Sequence, residues 1–156
     1  MKTYHFMSQP PNVNKGFSLI ELLVVLSITG ILCAIIYPGY RDTITRTHRS
    51  DGQTALLDLA IRMENYYTKN NTYKTATIGQ GTSTDVLVHA TSPEGFYLLS
   101  LSKLTHSTYT LKATPTPSQA NADSRCQSLT FNSLGIKGIT TGPAGNPTAP
   151  ASTCWS

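Results

Sequence analysis

Lys15-Gly16-Phe17-Ser18-Leu19-Ile20-Glu21-Leu22-Leu23-Val24-Val25-Leu26 joins a positive charge and a glycine to the start of an apolar run that holds a single acid. At about 1.5 Å per helical residue, the stretch from Phe17 to Ile36 is long enough to cross the roughly 30 Å hydrocarbon core of a bilayer. Glu21 is its only charged side chain. A carboxylate in hydrocarbon costs at least ~2.5 kcal/mol on the lenient insertion scale, and it is normally there because it has a partner. The run contains no Lys or Arg, so the partner must come from elsewhere.

A new amino terminus is one source. Cutting between Gly16 and Phe17 frees an α-amino group, positive near neutral pH, one helical turn before Glu21. The two groups can meet within one helix, or across two helices offset by a turn. In the second arrangement Glu21 keys the register of stacked identical subunits. Other readings of the segment fit less well. An ordinary secretory signal closes its apolar run with a small-x-small cut site, and none stands in a convincing place here. A lipoprotein cut needs a small residue before the cysteine, whereas Cys33 follows Leu32. Cys33 therefore reads as a buried small hydrophobe.

Gly-Phe-Ser-Leu-Ile-Glu-Leu-Leu at positions 16–23 resembles the processing and assembly motif of type IV pilins and of the related pseudopilins of type II secretion. The resemblance implies that a prepilin peptidase cuts after Gly16 and N-methylates Phe17. It implies that Glu21 neutralises the amino terminus of a neighbouring subunit, and that the helix is loosened between Gly30 and Pro38. The leader, residues 1–16, is long for pilins that begin with phenylalanine. A start at Met7 would shorten it and still keep Lys15.

With 156 residues the chain has room for one domain plus this anchor. Its net charge of +4 falls to +2 once Lys2 and Lys15 leave with the leader, which gives little support to a nucleic-acid role. The positive leader should stay in the cytoplasm, the remainder being exported from the inner membrane. Cys126 and Cys154 then lie where oxidation is possible. A bond between them would close a loop of roughly 30 residues, worth ~3.5 kcal/mol in the chain-entropy model. A free pair or metal ligation are the alternatives, although no His or further Cys lies in the tail to complete a zinc set. In the family this region, 126–154 here, is the disulfide-bounded D-region.

Beyond Pro38 the chain changes character. Ile44, Ala55, Leu56, Leu59, Met63 and Tyr66 or Tyr67 recur at spacings of three and four. Arg41, Asp42, Arg46, Arg49, Asp51, Asp58, Arg62 and Glu64 lie on the other side. Residues 38–70 therefore read as the amphipathic half of one long helix whose first half, 17–37, spans the membrane. Asn70-Asn71 ends it, and Gly52 makes a slight break near Ser50–Gly52 possible. Residues 71–94 read as a connecting loop with one short turn or strand. The region 95–141 reads as four antiparallel strands. Phe96 to Leu101 is apolar on both faces, as a strand buried between helix and loops would be. Tyr109, Leu111 and Ala113 alternate with polar neighbours. Pro115 to Asp123 reads as an exposed connection. The expected fold is α+β, a long N-terminal helix packed on a four-stranded antiparallel sheet.

No nucleophile–base motif, glycine-rich phosphate loop, calcium loop or metal-ligand spacing among His5, His48, His89 and His106 appears in the sequence. Neither an enzyme, a cofactor nor a metal is therefore expected. Met63-Glu-Asn-Tyr-Tyr, Asn71-Thr-Tyr and Cys154-Trp155 resemble minor pilins of the PilE group. That resemblance implies a filament subunit whose partners are other pilins, the prepilin peptidase, the inner membrane and the assembly platform. Its expected roles are pilus biogenesis, twitching motility, adhesion or DNA uptake. A second reading makes the chain a pilus-borne DNA receptor, with Lys103, Lys112, Arg125 and Lys137 as basic candidates. A third makes it a secretion pseudopilin.

Overall fold

The computed structural model describes residues 16–156. Leader residues 1–15, with Lys2, His5 and Lys15, and the choice between Met1 and Met7 lie outside the described residues. Two compact units divide the chain, one ending at Gly39 and the other spanning Tyr40–Ser156. Helix α1 is Leu19–Asn70. Its backbone is helical through Gly30 and Pro38.

In the second unit the apolar stripe of α1 is the floor of the core. Ala55, Leu56, Leu59 and Met63 are buried and cluster with Leu99, Leu111, Ala113 and Leu129 from the sheet. No break occurs near Gly52. The glycine is buried, and a methyl built on it would lie 2.8 Å from Cδ2 and Cγ of Tyr97. The absent side chain serves close approach of a ring rather than loosening of the helix. Arg49 and Asp51 also depart from the expected solvated face. Arg49 is 11% exposed and paired with Asp123, while Asp51 accepts from Ser92 Oγ and from the Glu94 N–H at 3.1 Å. The helix ends as its sequence requires. Asn71 adopts φ 53° and its N–H bonds the Tyr67 carbonyl at 2.7 Å, the left-handed closure that asparagine tolerates.

Four antiparallel strands follow in the order β3 (Tyr97–Leu104), β4 (Tyr109–Pro115), β5 (Ser128–Asn132) and β6 (Lys137–Thr140). On β4 every second residue, Tyr109, Leu111, Ala113 and Pro115, is buried. β3 is not buried on both faces. Tyr97 and Leu99 face the core, whereas Leu98 is 52% exposed on the outer face of an edge strand. Before the sheet, the short strands β1 (Thr77–Ile78) and β2 (Asp85–Leu87) pair with each other. The Asp85 carboxylate holds that loop by accepting from the Thr77 hydroxyl at 2.6 Å and from the N–H groups of Gln80, Gly81 and Thr82 at 2.9, 2.7 and 3.2 Å. These donors keep its pKa below the ordinary carboxylate value, the Thr77 hydroxyl most of all.

The stretch 115–123 is not an exposed connection. It forms helix α2 (Pro117–Ala122), with Gln119, Ala120 and Asp123 buried. Thr116 caps it, its hydroxyl accepting from the Gln119 N–H, with proline in the first turn. A last short helix, α3 (Ala151–Cys154), closes the chain.

Candidate assembly segment and candidate nucleic-acid contacts

The first unit presents almost nothing but hydrocarbon. Phe17 is 82% exposed, and each large apolar residue from Leu19 to Ile36 is more than half exposed. Two hydroxyls inside the run are turned inward onto the helix. Ser27 Oγ donates to the Leu23 carbonyl and Thr29 Oγ1 to the Val25 carbonyl, both at 2.8 Å, so neither polar group is left open to a nonpolar solvent. α1 is long and apolar enough at this end to cross a membrane. Cys33 is exposed like its neighbours rather than buried, because the helix carries no second layer here. Glu21 has no ion-pair or hydrogen-bond partner among the described residues. A Cβ on Gly16 would touch nothing within 4 Å, so no packing within the chain requires a glycine there.

At the other end, Cys126 and Cys154 are joined, with Cα atoms 5.6 Å apart. Two contacts that the sequence did not suggest hold the loop they bound. Gln127, at φ 50°, is buried and donates from Nε2 to the carbonyls of Ala120 and Ser124 at 3.0 and 3.1 Å. Its Oε1 accepts from the Ala144 N–H at 3.1 Å. Gln53 Nε2 on α1 reaches the Cys154 carbonyl at 2.8 Å. A glutamine at each of these places carries no periodic signal, and only long-range pairing gives it a role.

A tyrosine cluster closes the far end of α1. Glu64 accepts from the hydroxyls of Tyr73 and Tyr109, each at 2.9 Å. Tyr73 stacks on Tyr67 at 4.6 Å and meets Tyr109 edge-on at 4.9 Å. Burial, reinforced by the neighbouring carboxylate, pushes the Tyr73 phenol up to about 12 and raises that of Tyr109 as well. Burial also takes Tyr97 up to about 12.

The four basic candidates do not form one patch. Lys103 and Lys112 share the outer face of the sheet, since Lys103 pairs with Thr110 and Lys112 lies two residues along the same strand. Lys112 Nζ donates to the Thr141 carbonyl at 3.3 Å. Lys137 lies over the Trp155 ring, 5.3 Å from its centroid. Arg125 lines a cleft with Arg46 and Arg49 of α1.

A family profile described as type IV minor pilin ComP, DNA uptake sequence receptor, matches residues 38–130. The prokaryotic N-terminal methylation motif matches residues 11–37. The type IV major fimbrial protein FimA of Dichelobacter nodosus is 46% identical over 52 residues, 33% of this chain and 32% of FimA. The fimbrial protein of Moraxella nonliquefaciens is 51% identical over 43 residues, 28% of each chain. The match thus spans about a third of these curated relatives or less. Among solved structures, the non-core minor pilin PilV of Neisseria meningitidis aligns with a TM-score of 0.48 and 25% identity, covering 67% of this chain and 95% of PilV. A type IV pilin of Shewanella oneidensis aligns at 0.47 and 24%, covering 72% and 98%.

Proposed function

Because the chain belongs to the type IV minor pilin family, whose profile it matches over residues 38–130, we propose that it is a minor subunit of a type IV pilus. It is made as a membrane-anchored precursor with its C-terminal domain outside the cytoplasm. The prepilin peptidase cuts between Gly16 and Phe17 and methylates the new amino group. The freed helix then leaves the bilayer for a filament of pilin subunits at the assembly platform, loosening between Gly30 and Pro38. The observation that carries this reading is the unpartnered Glu21 in an exposed apolar helix, four residues from the proposed amino terminus. In lipid a carboxylate without a partner is costly, and a neighbour's amino group offsets that cost only when subunits stack.

Mass spectrometry of the mature chain from cells tests the reading. An N-methylated Phe17 terminus is expected; any other first residue removes the reading. Gly16→Ser should leave the precursor uncut.

A second function on the same filament is favoured by the description that the matched profile carries, that of a DNA uptake sequence receptor. The domain would then meet DNA through exposed cations, and binding should weaken steeply as salt rises. A duplex titration across salt tests this, and absence of affinity at low salt would remove it.

A further inference from the structure

The receptor reading leaves open where a phosphate would sit. A cleft of about 160 Å³ opens between α1, the turn joining α2 to β5 and the C-terminal tail, lined by Arg46, Arg49, Arg125, Thr45, Ser124 and Thr153. Arg49 is already committed. Its Nε and Nη2 bond the two carboxylate oxygens of Asp123 at 2.6 and 3.0 Å, and Nη1 lies 3.5 Å from the Thr153 carbonyl. That pair is the cleft's rigid wall. Arg46 and Arg125 are exposed, and their guanidinium groups have no hydrogen bond or ion pair among the described residues.

The base under Arg125 is fixed. Its carbonyl accepts from the N–H groups of Thr148 and Ala149, both at 3.0 Å, and the next residue is the disulfide-bonded Cys126. Arg46 stands on helix backbone. Two arginines with uncommitted guanidinium groups thus line one cleft whose walls the fold holds, together with Ser124 and Thr153. A guanidinium fork matches the oxygen spacing of phosphate, and groups held in place lose little freedom on binding. Asp42, one turn before Arg46, and Asp123 also border the cleft. Two acids against three arginines leave only a small positive excess, so the attraction is local and suits one or two phosphates rather than a whole groove of DNA. Lys112, by contrast, has its Nζ on a carbonyl.

We propose that Arg46 and Arg125 grip the phosphodiester backbone of duplex DNA in this cleft, which deepens and rests on the receptor reading. The test uses the full chain in a non-ionic detergent and a short fluorescent duplex, with binding followed across salt. Four forms are compared: the natural chain, Arg46→Ala with Arg125→Ala, Arg46→Lys with Arg125→Lys, and Lys103→Ala with Lys112→Ala. The alanine pair should lose affinity about tenfold or more at low salt, and its log–log salt slope should flatten by about 1.8, two phosphate contacts. The lysine pair should keep the slope and recover only part of the affinity. Both arginines are exposed, so melting temperatures should stay level; if the alanine pair melts early, the lysine pair carries the test through its partial affinity loss. Salt-dependent binding left intact by both arginine pairs would overturn the cleft and leave the receptor reading standing. No binding by the natural chain would remove both.

Discussion

Gly52 on α1 lies beneath the ring of Tyr97 on β3, so near that a single added methyl would stand 2.8 Å from two ring carbons. Tyr97 is 1% exposed and cannot swing into solvent. Its N–H is held by Ser92 Oγ at 3.0 Å, and that hydroxyl donates to Asp51, one residue before the glycine. Helix and strand therefore approach each other closely here.

Gly52→Ala should destabilise the fold even though alanine is the better helix former. The helix gains about 1 kcal/mol from the substitution. Overpacking against a confined ring costs about 1 to 3 kcal/mol. A net loss in denaturant unfolding is expected, while a gain would mean that the ring can retreat.

Asp123→Ala should be more harmful than its distance from the apolar core suggests. The Arg49–Asp123 pair is nearly sealed, at 11% and 5% exposure. Removing the acid strands a guanidinium with no counter-charge, a loss of about 3 kcal/mol or more. Combining Asp123→Ala with Arg49→Met should recover much of it in the same denaturation assay. Equal instability of single and double variants would argue that packing, not charge, matters here.

Alkali should loosen the tyrosine cluster and, separately, the packing of Tyr97. Tyr73 and Tyr97 sit at about 12 in the folded chain against an ordinary value near 10. A raised folded pKa means that the fold favours the neutral phenol. The stabilisation is full below pH 10 and is lost as pH climbs from there through about 12. Thermal melting should thus be level up to pH 10 and fall beyond it, with phenolate absorbance rising in step. In Tyr73→Phe the alkaline fall should be shallower and the neutral-pH stability about 1 kcal/mol lower, one hydroxyl bond to Glu64 being gone. An unchanged alkaline limb in that variant would count against the cluster.

Glu21→Ala should insert in the membrane and be processed, yet fail to enter filaments. Sheared filaments probed for the subunit give the measurement, and wild-type levels there would contradict the pairing of Glu21 with a neighbour's amino terminus.

The long helix, its apolar stripe and the alternation on β4 were legible because each repeats with the period of its own backbone. What escaped was aperiodic. Thr116-Pro117-Ser118-Gln119 carries a capping hydroxyl, a first-turn proline and a glutamine three residues after the cap, the signature of a helix start. Its cap Thr116 stands between Pro115 and Pro117, and the helix is too short for any apolar rhythm, so the stretch reads as a connection. Leu98 misled for the opposite reason. An unbroken apolar run suggested cover on both faces, but composition does not say whether a second layer exists. Arg49 and Asp51 look like any solvated helix charges until their partners, 74 and 41 residues away, are brought in by the fold. For the same reason the sequence offers Arg125 among four basic candidates, with nothing to bring Arg46 to the same cleft.

Among the described residues, the buried cluster draws on those from Ala55 to Cys154 and none earlier. The residues proposed for polymerisation and those that make the domain fold are therefore separate sets. Evolution can redraw the outward face, changing what the filament meets, without rewriting the instructions by which it grows.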